Sequence, residues 1–449
     1  MTLTETVAKA AASRYGVAFD IGTTTAAGML WDMVSGKPAG ALAKSNPQRA
    51  CGADVMSRIA FAVRENGEDN PEKLRGLIVR RMNEITTELS GNHGIDLKDI
   101  HEIAVCGNTA MSHFFAGKDP AGLALSPFRP AYTGALCGSA ASFGLAAADG
   151  ARCYLMPGIA GHVGSDITAG VLATGLHRID GASLLIDIGT NGEIVLAAGG
   201  RLTACSTAAG PAFEGASIAQ GMRAEEGAVE AVKISGGEVS VGVIGDAAPA
   251  GLCGSGVIDA AAEMLGAGII DETGKIFDRG SLLSKGVSAK LASRVRENGG
   301  EMEFVLAYGG GEKGKKGKDI VIRQKDIREF QMAKGAIEAG VTMLLREMKL
   351  RPADIGNVFL AGAFGNHIRA ESAVAAGLIP AADLSNVIFA GNTAGAGVSM
   401  ALLSDEVKRQ AEALAANIEH LELAARADFQ DVYIAAMNFR HYRRARVTA

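Results

Sequence analysis

Two short segments of this chain put a carboxylate where magnesium and phosphate chemistry need one. Gly16-Val17-Ala18-Phe19-Asp20-Ile21-Gly22-Thr23 and Ser183-Leu184-Leu185-Ile186-Asp187-Ile188-Gly189-Thr190 are both apolar runs ending in Asp-Ile-Gly-Thr. Each is followed by a second apolar or small-residue run, Ala26 to Trp31 and Ile194 to Ala198, so each predicts a β-hairpin with the aspartate at its tip. Transfer or hydrolysis of a γ-phosphate needs donors that fit phosphate oxygens and carboxylates that place a hydrated magnesium ion. Asp20 is suited to a magnesium-bound water, Gly22 to close backbone approach, and Thr23, Thr24 and Thr25 to the phosphates. Asp187, Gly189, Thr190 and Asn191 repeat the set. One Asp-Gly turn is a common hairpin signal; two, each fed by an apolar strand, point to ATP with Mg2+, held in a cleft between two lobes. Asp20 and Asp187 are then the catalytic carboxylates and the metal-side residues.

A second repetition supports duplication. Ile103-Ala104-Val105-Cys106-Gly107-Asn108-Thr109-Ala110 resembles Val387-Ile388-Phe389-Ala390-Gly391-Asn392-Thr393-Ala394, in both cases a buried strand running into Gly-Asn-Thr-Ala. Helical periodicity predicts helices over Ala53 to Asn66, Pro71 to Leu89 and Ile327 to Leu350, the last presenting Phe330, Ile337, Val341, Leu344, Leu345 and Met348 to a core. Strands alternating with such helices make the expected fold class α/β, with residues 1–13 as an N-terminal extension, 14–180 as the first lobe, and 181–449 as the second with a C-terminal helical return. Val358 to Asn366 is a strand entering a Gly turn, and Gly362, Ala363 and Gly365 are its candidate contacts to adenosine. The segment from Gly309 to Lys318, rich in Gly and Lys, reads as a solvated loop.

Composition sets outer limits. A chain of 449 residues can bury large cores. A net charge of -5 and an aromatic content of 5% argue against a polyanion such as nucleic acid as partner. Pro130 to Ala148 and Asn386 to Ser404 lack formal charge but consist largely of small and polar residues, so no membrane span is expected. Met1 to Arg14 has no secretory pattern, which makes the cytoplasm the expected location. Cys51, Cys106, Cys137, Cys153, Cys205 and Cys253 have no CxxC spacing, so no iron-sulfur cluster is expected within one chain and buried thiols are. A cluster shared across a homodimer stays open.

Longer motifs narrow the reading. Asn46-Pro47-Gln48 with Gly52-Ala53-Asp54-Val55, Cys205 to Gly215, Gly221-Met222-Arg223-Ala224, Cys253-Gly254-Ser255-Gly256, Gln331 to Ile337, and Phe429-Gln430-Asp431 with Ala436-Met437-Asn438-Phe439 resemble the reductive activators of corrinoid proteins, and the likeness runs from Tyr15 to Phe439. It implies the two-lobed ribonuclease H-like fold of actin, sugar kinases and chaperone ATPases. It also implies ATP hydrolysis coupled to returning a cob(II) corrinoid on a methyltransferase partner to cob(I). Family members usually carry an iron-sulfur domain, and this chain shows none, so the electron is expected from a separate protein.

Other residues take weaker assignments. Asp166 either orients attacking water or caps a helix. Ser206 and Thr207 are candidates for a partner-facing loop or a helix cap, and Glu214 for the magnesium shell, a helix end or that same face. Glu193 is expected to face solvent, and His113, His162 and His367 to pack or hydrogen-bond. Rival readings are a small-molecule kinase of the sugar or acetate type, a nucleotide-switched scaffold, and an activator of radical dehydratases with a cluster bridging a dimer.

Overall fold

The computed structural model describes residues 14–64, 69–309, 318–362, 368–380 and 383–439. Residues 1–13, most of the Gly and Lys segment (310–317), Ala363, Gly365 and His367 of the second Gly turn, and 440–449 lie outside them. The chain forms two compact units, the first from residues 1–179, 199–205 and 392–425, the second from 180–198, 206–391 and 426–449. Residues 392–425, late in the sequence, belong to the first unit.

The first unit is built on a six-stranded sheet: β1 (Tyr15–Ile21), β2 (Thr25–Asp32), β3 (Lys37–Ser45), β4 (Ile100–Gly107), β5 (Leu136–Ser139) and β6 (Arg152–Leu155), in the order β3-β2-β1-β4-β6-β5. β1 and β2 form the first hairpin, and β4 lies parallel to β1 with Asp20 opposite Cys106. Strand alternation divides the packing. Val17, Phe19 and Ile21 meet the helix Asn70–Asn92 through its stripe Leu74, Ile78, Met82, Ile85 and Leu89. That helix extends the predicted Pro71 to Leu89 at both ends: Asp69 accepts the Glu72 amide at 3.0 Å, and the chain leaves through Gly94 in a left-handed conformation. The predicted Ala53 to Asn66 shortens to Val55–Ala62 among the described residues.

The opposite face of this sheet is small. Ala18, Ala104 and Cys106 admit the helices Ser165–Thr174 and Thr393–Leu403, which approach so closely that a Cβ at Gly397 would lie 2.0 Å from the Ala169 carbonyl. Asp20 is on this face, where the cap of the second of these helices, Asn392, reaches it.

The second unit repeats the motif. β7 (Ala182–Ile188) and β8 (Gly192–Ala198) form the second hairpin; β9 (Ile355–Ala361) is parallel to β7, and β10 (Val387–Gly391) is parallel to β9. The helix Gln324–Glu347 begins three residues before its predicted start, since Asp326 accepts the backbone amides of Arg323 at 2.9 Å and Ala219 at 2.8 Å. Its predicted core residues Phe330, Ile337, Val341, Leu344 and Leu345 are buried, while Met348 falls just past the helix end. The C-terminal helix Phe429–Met437 is pinned to it. Gln331 donates to the Met437 carbonyl at 3.0 Å, the wholly buried Lys334 donates to the Asn438 carbonyl at 2.5 Å and pairs with Glu338 at 3.0 Å, and Phe330 stacks on Phe439. Two motifs far apart in sequence are thus the halves of one clamp.

Candidate functional site

The first hairpin turns through Gly22, Thr23 and Thr24, all partly exposed. The Gly22 amide donates to the Thr25 carbonyl at 2.9 Å, closing a four-residue loop. Three asparagines hold it. Asn46, 1% exposed, donates its backbone amide to the Thr24 carbonyl at 2.8 Å and its side-chain amide to the Gly22 carbonyl at 2.9 Å. Asn108 caps the helix Thr109–Ala116, accepting from the Met111 amide at 3.0 Å, while its Nδ2 donates to the Thr23 hydroxyl at 2.9 Å. Asn392 caps the helix Thr393–Leu403, accepting from the Gly395 amide at 2.7 Å, while its Nδ2 donates to Asp20 at 3.2 Å. The two Gly-Asn-Thr-Ala echoes therefore do the same job: one end of the amide starts a helix and the other fixes the hairpin. The repeat was visible in the sequence; what it reaches was not, because the contacts span 85 and 372 residues.

The Asp20 carboxylate keeps partial solvent contact, yet lost hydration lifts its pKa from 3.8 to about 6, against the opposing pull of the Asn392 amide. An anionic carboxylate at this position is under-hydrated, and a hydrated cation would relieve it. Asp166 is in the first turn of the helix Ser165–Thr174, where Gly164 holds the capping position, and it accepts the Ile167 amide at 2.9 Å. His113 is a buried packing residue: its Nδ1 meets the Thr109 carbonyl at 2.7 Å, its Nε2 accepts from the Ala131 amide at 3.0 Å, and burial lowers its pKa. His162 packs edge-on against Phe128.

The second hairpin has a tighter, three-residue loop, closed by the Gly189 amide on the Asn191 carbonyl at 2.9 Å. Thr190 is held from two sides: its hydroxyl donates to Glu214, and its carbonyl accepts the Gly210 amide at 2.9 Å. Asp187 has Glu193 directly opposite on β8 and Ala361 beside it on β9. The next residue, Gly362, has φ +97°, and a Cβ there would lie 2.4 Å from the Ile188 carbonyl and 2.8 Å from Asp187 Oδ1, so only glycine fits. Gly189 is different: its φ is not left-handed, and a Cβ would meet nothing closer than the Asn191 carbonyl at 3.6 Å. The fold tolerates a side chain at Gly189, and glycine leaves room there for something that comes close to the backbone.

Several expectations change. Glu193 does not face solvent; it is 9% exposed and accepts from Ser206 Oγ at 3.3 Å. It lies directly opposite Asp187 in the strand register. Ser206, Thr207 and Glu214 are turned toward the second hairpin instead of outward, with Thr207 buried and donating to the Gly192 carbonyl at 3.1 Å. Cys106, Cys153, Cys205 and Cys253 are buried, while Cys51 is partly exposed and Cys137 exposed. Among the described residues no group of three His, Cys, Asp or Glu side chains is arranged to hold a metal, and no helix is long and apolar enough to cross a membrane.

Residues 15–179 match the model described as the RACo middle region, and residues 181–448 the model described as the C-terminal domain of RACo, the ASKHA domain. The chain belongs to the RACo family. It is 36% identical over 420 residues to the corrinoid activation enzyme RamQ of Eubacterium limosum, covering 94% of this chain and 69% of that protein. It is 27% identical over 462 residues to the Co(II) methylated amine-specific corrinoid protein reductase of Methanosarcina barkeri, covering 95% of this chain and 77% of that one. A solved structure, the reductive activator for corrinoid, iron-sulfur protein, superposes with a TM-score of 0.82 at 39% identity, covering 95% of this chain and 66% of that chain. This RACo-family chain therefore spans 66% to 77% of the length of these relatives, and residues 181–448 carry the ASKHA, or actin-like and sugar-kinase-like, α/β fold.

Proposed function

We propose that this RACo-family chain is an ATP-dependent activator that helps return an inactive cob(II) corrinoid on a methyltransferase partner to cob(I), with the electron supplied by a separate protein. The observation that carries the nucleotide part is the paired construction of the hairpins. Each presents an aspartate at a strand end, a glycine in the turn and a threonine, Thr23 or Thr190, whose hydroxyl is fixed by a side chain from another element. The vacant space at Gly189 fits the close approach of a phosphate, and the under-hydrated Asp20 fits a hydrated divalent cation. In this reading each hairpin offers groups suited to a magnesium nucleotide. Asp20 and Asp187 orient the metal's water ligands, and Gly22, Thr23, Thr24, Gly189, Thr190 and Asn191 meet the phosphates. Gly362, with Ala363 and Gly365, meets the adenosine, and Asp166 is the remaining candidate for orienting the attacking water. Bound magnesium neutralises charge that develops on the transferred phosphoryl group.

The corrinoid part rests on family membership and on the names of the relatives. Reduction of cob(II) is uphill for ordinary donors, and about 59 mV of one-electron potential corresponds to about 1.4 kcal/mol; ATP hydrolysis supplies the difference. In this reading Glu214, which accepts from Thr190, and Ser206, which donates to Glu193, have a coupling role, since a change at the second hairpin reaches both side chains. The test is ATP turnover with and without a corrinoid protein held in the cob(II) state. Stimulation, together with appearance of the cob(I) spectrum when a low-potential donor is present, is the expected result. Turnover indifferent to the corrinoid protein rejects the partner, and no turnover at all rejects the ATPase.

A further inference from the structure

The first hairpin has a second layer, and that layer contains an unexplained charge. Arg58, on the helix Val55–Ala62, is 0% exposed and ranks among the largest fully buried side chains of the protein. A buried guanidinium ordinarily sits against a carboxylate, because desolvating an unpaired charge is expensive. Arg58 does not. Its Nε donates to the Gly52 carbonyl at 2.9 Å, its Nη1 reaches only the Met111 sulfur at 3.5 Å, and its Nη2 is buried without a hydrogen-bond partner. The acid in its surroundings, Asp54, is occupied in capping the helix, accepting the Ser57 amide at 2.8 Å, while the exposed Arg49 adds a like charge. Burial lowers the Arg58 pKa to about 10, still far above neutrality, so the cation persists.

Its location gives the charge a direction. Met111, which touches Arg58, is also touched by Asn46 Nδ2 at 3.6 Å, and that same amide nitrogen holds the Gly22 carbonyl. Met111 belongs to the helix whose cap, Asn108, holds Thr23. Arg58 is therefore one side-chain layer behind the Gly22-Thr23-Thr24 turn, held there through the Gly52 carbonyl of the same segment, Asn46 to Asp54, whose Asn46 grips the turn. Coulomb interaction falls only as the inverse of distance and is weakly screened in the interior, so a cation at this depth acts on an anion bound at the turn without touching it.

We propose that Arg58 is the fixed counter-charge of the first hairpin, a positioning residue whose uncompensated cation is met by the phosphates of the bound nucleotide. The proposal rests on the nucleotide reading above, and it explains why the chain keeps a buried cation that its own carboxylates do not answer. The experiment measures binding of AMP, ADP and ATP with Mg2+ by calorimetry, alongside melting of the nucleotide-free protein, for wild type and for Arg58→Met, Arg58→Gln and Arg58→Lys. For Arg58→Met and Arg58→Gln the loss of affinity should grow with phosphate number, reaching roughly tenfold for ATP. Arg58→Lys should keep the wild-type order of affinities. Nucleotide-free Arg58→Met should melt no lower than wild type, since an apolar side chain replaces an unpaired buried charge. Equal losses for all three nucleotides, or none, overturn the proposal and leave Arg58 a packing residue. If Arg58→Met does not fold, the Lys and Gln variants decide between charge and packing in the same way. A wild-type protein that binds none of the nucleotides overturns the nucleotide reading itself, which separates the two failures.

Discussion

The first hairpin is held by amides and the second by a carboxylate, although both are written Asp-Ile-Gly-Thr. Asn46, Asn108 and Asn392 donate to Gly22, Thr23 and Asp20, and the residue opposite Asp20 on β2 is Ala27. In the second hairpin Glu214 accepts from Thr190, and the residue opposite Asp187 is Glu193. The first turn thus sits among neutral donors with Arg58 behind it, whereas the second sits among acids. The difference teaches that a duplicated motif preserves the turn and its aspartate while the surroundings diverge in charge.

The sharpest break of this comparison is at the acidic hairpin. Asp187→Asn keeps the shape of the side chain and removes its charge. ATP turnover should fall by on the order of a hundredfold or more with melting nearly unchanged, and a steady-state ATPase assay beside a melting curve reads both. Undiminished turnover would remove Asp187 from the metal side.

Next in size is the strand end beside it. Gly362→Ala drives a Cβ to 2.4 Å from the Ile188 carbonyl and forces an L-residue to φ +97°. The expected loss is roughly 3 kcal/mol in denaturant unfolding, accompanied by loss of nucleotide binding as Asp187 is pushed aside.

Much of this was legible in advance. The apolar runs fixed by alternation, the Asp-Ile-Gly-Thr turns and the stripe of the helix Gln324–Glu347 are local signals, and the structure keeps them with ends moved by a few residues. What stayed hidden depends on who meets whom. Asn108 and Asn392 announced a repeat, but nothing local says that their amides end on Thr23 and Asp20. Gln331 and Lys334 looked like part of a family motif without a purpose until Met437 and Asn438 arrived under them. Glu193 was misjudged because a glutamate in a hairpin is usually solvated, and here the Ser206 hydroxyl answers it in a buried place.

Asp20 sets up a pH test of the amide-held hairpin. Its carboxyl has a higher pKa folded than unfolded, so the folded state holds the proton more tightly and the ionised form opposes folding. That contribution to stability is fully present below pH 3.8 and is lost as pH rises through about 6. Asp20→Asn lacks the titration. In magnesium-free buffer the variant should gain on wild type between those limits, by up to roughly 3 kcal/mol at neutral pH, while its affinity for magnesium nucleotide falls. A pH-independent difference in melting would mean that Asp20 is not the strained acid described.

The smallest effect on the fold, and the most selective for function, belongs to Gly189. An alanine there meets no atom closer than 3.6 Å and needs no unusual φ, so melting should shift by less than about 1 °C and, if anything, upward, because alanine restricts the unfolded chain. Nucleotide affinity should nonetheless drop, since the methyl group occupies the space that a phosphate oxygen would use to reach the turn amides. The equivalent change in the first hairpin, Gly22→Ala, would bring a Cβ to 2.9 Å from the Thr25 carbonyl and so disturb fold and binding together. Only at the second hairpin can the two be separated. Unchanged affinity in a well-folded Gly189→Ala protein would show that this opening is not where phosphate approaches, and the case for a ligand at the acidic hairpin would then have to rest on Asp187 alone.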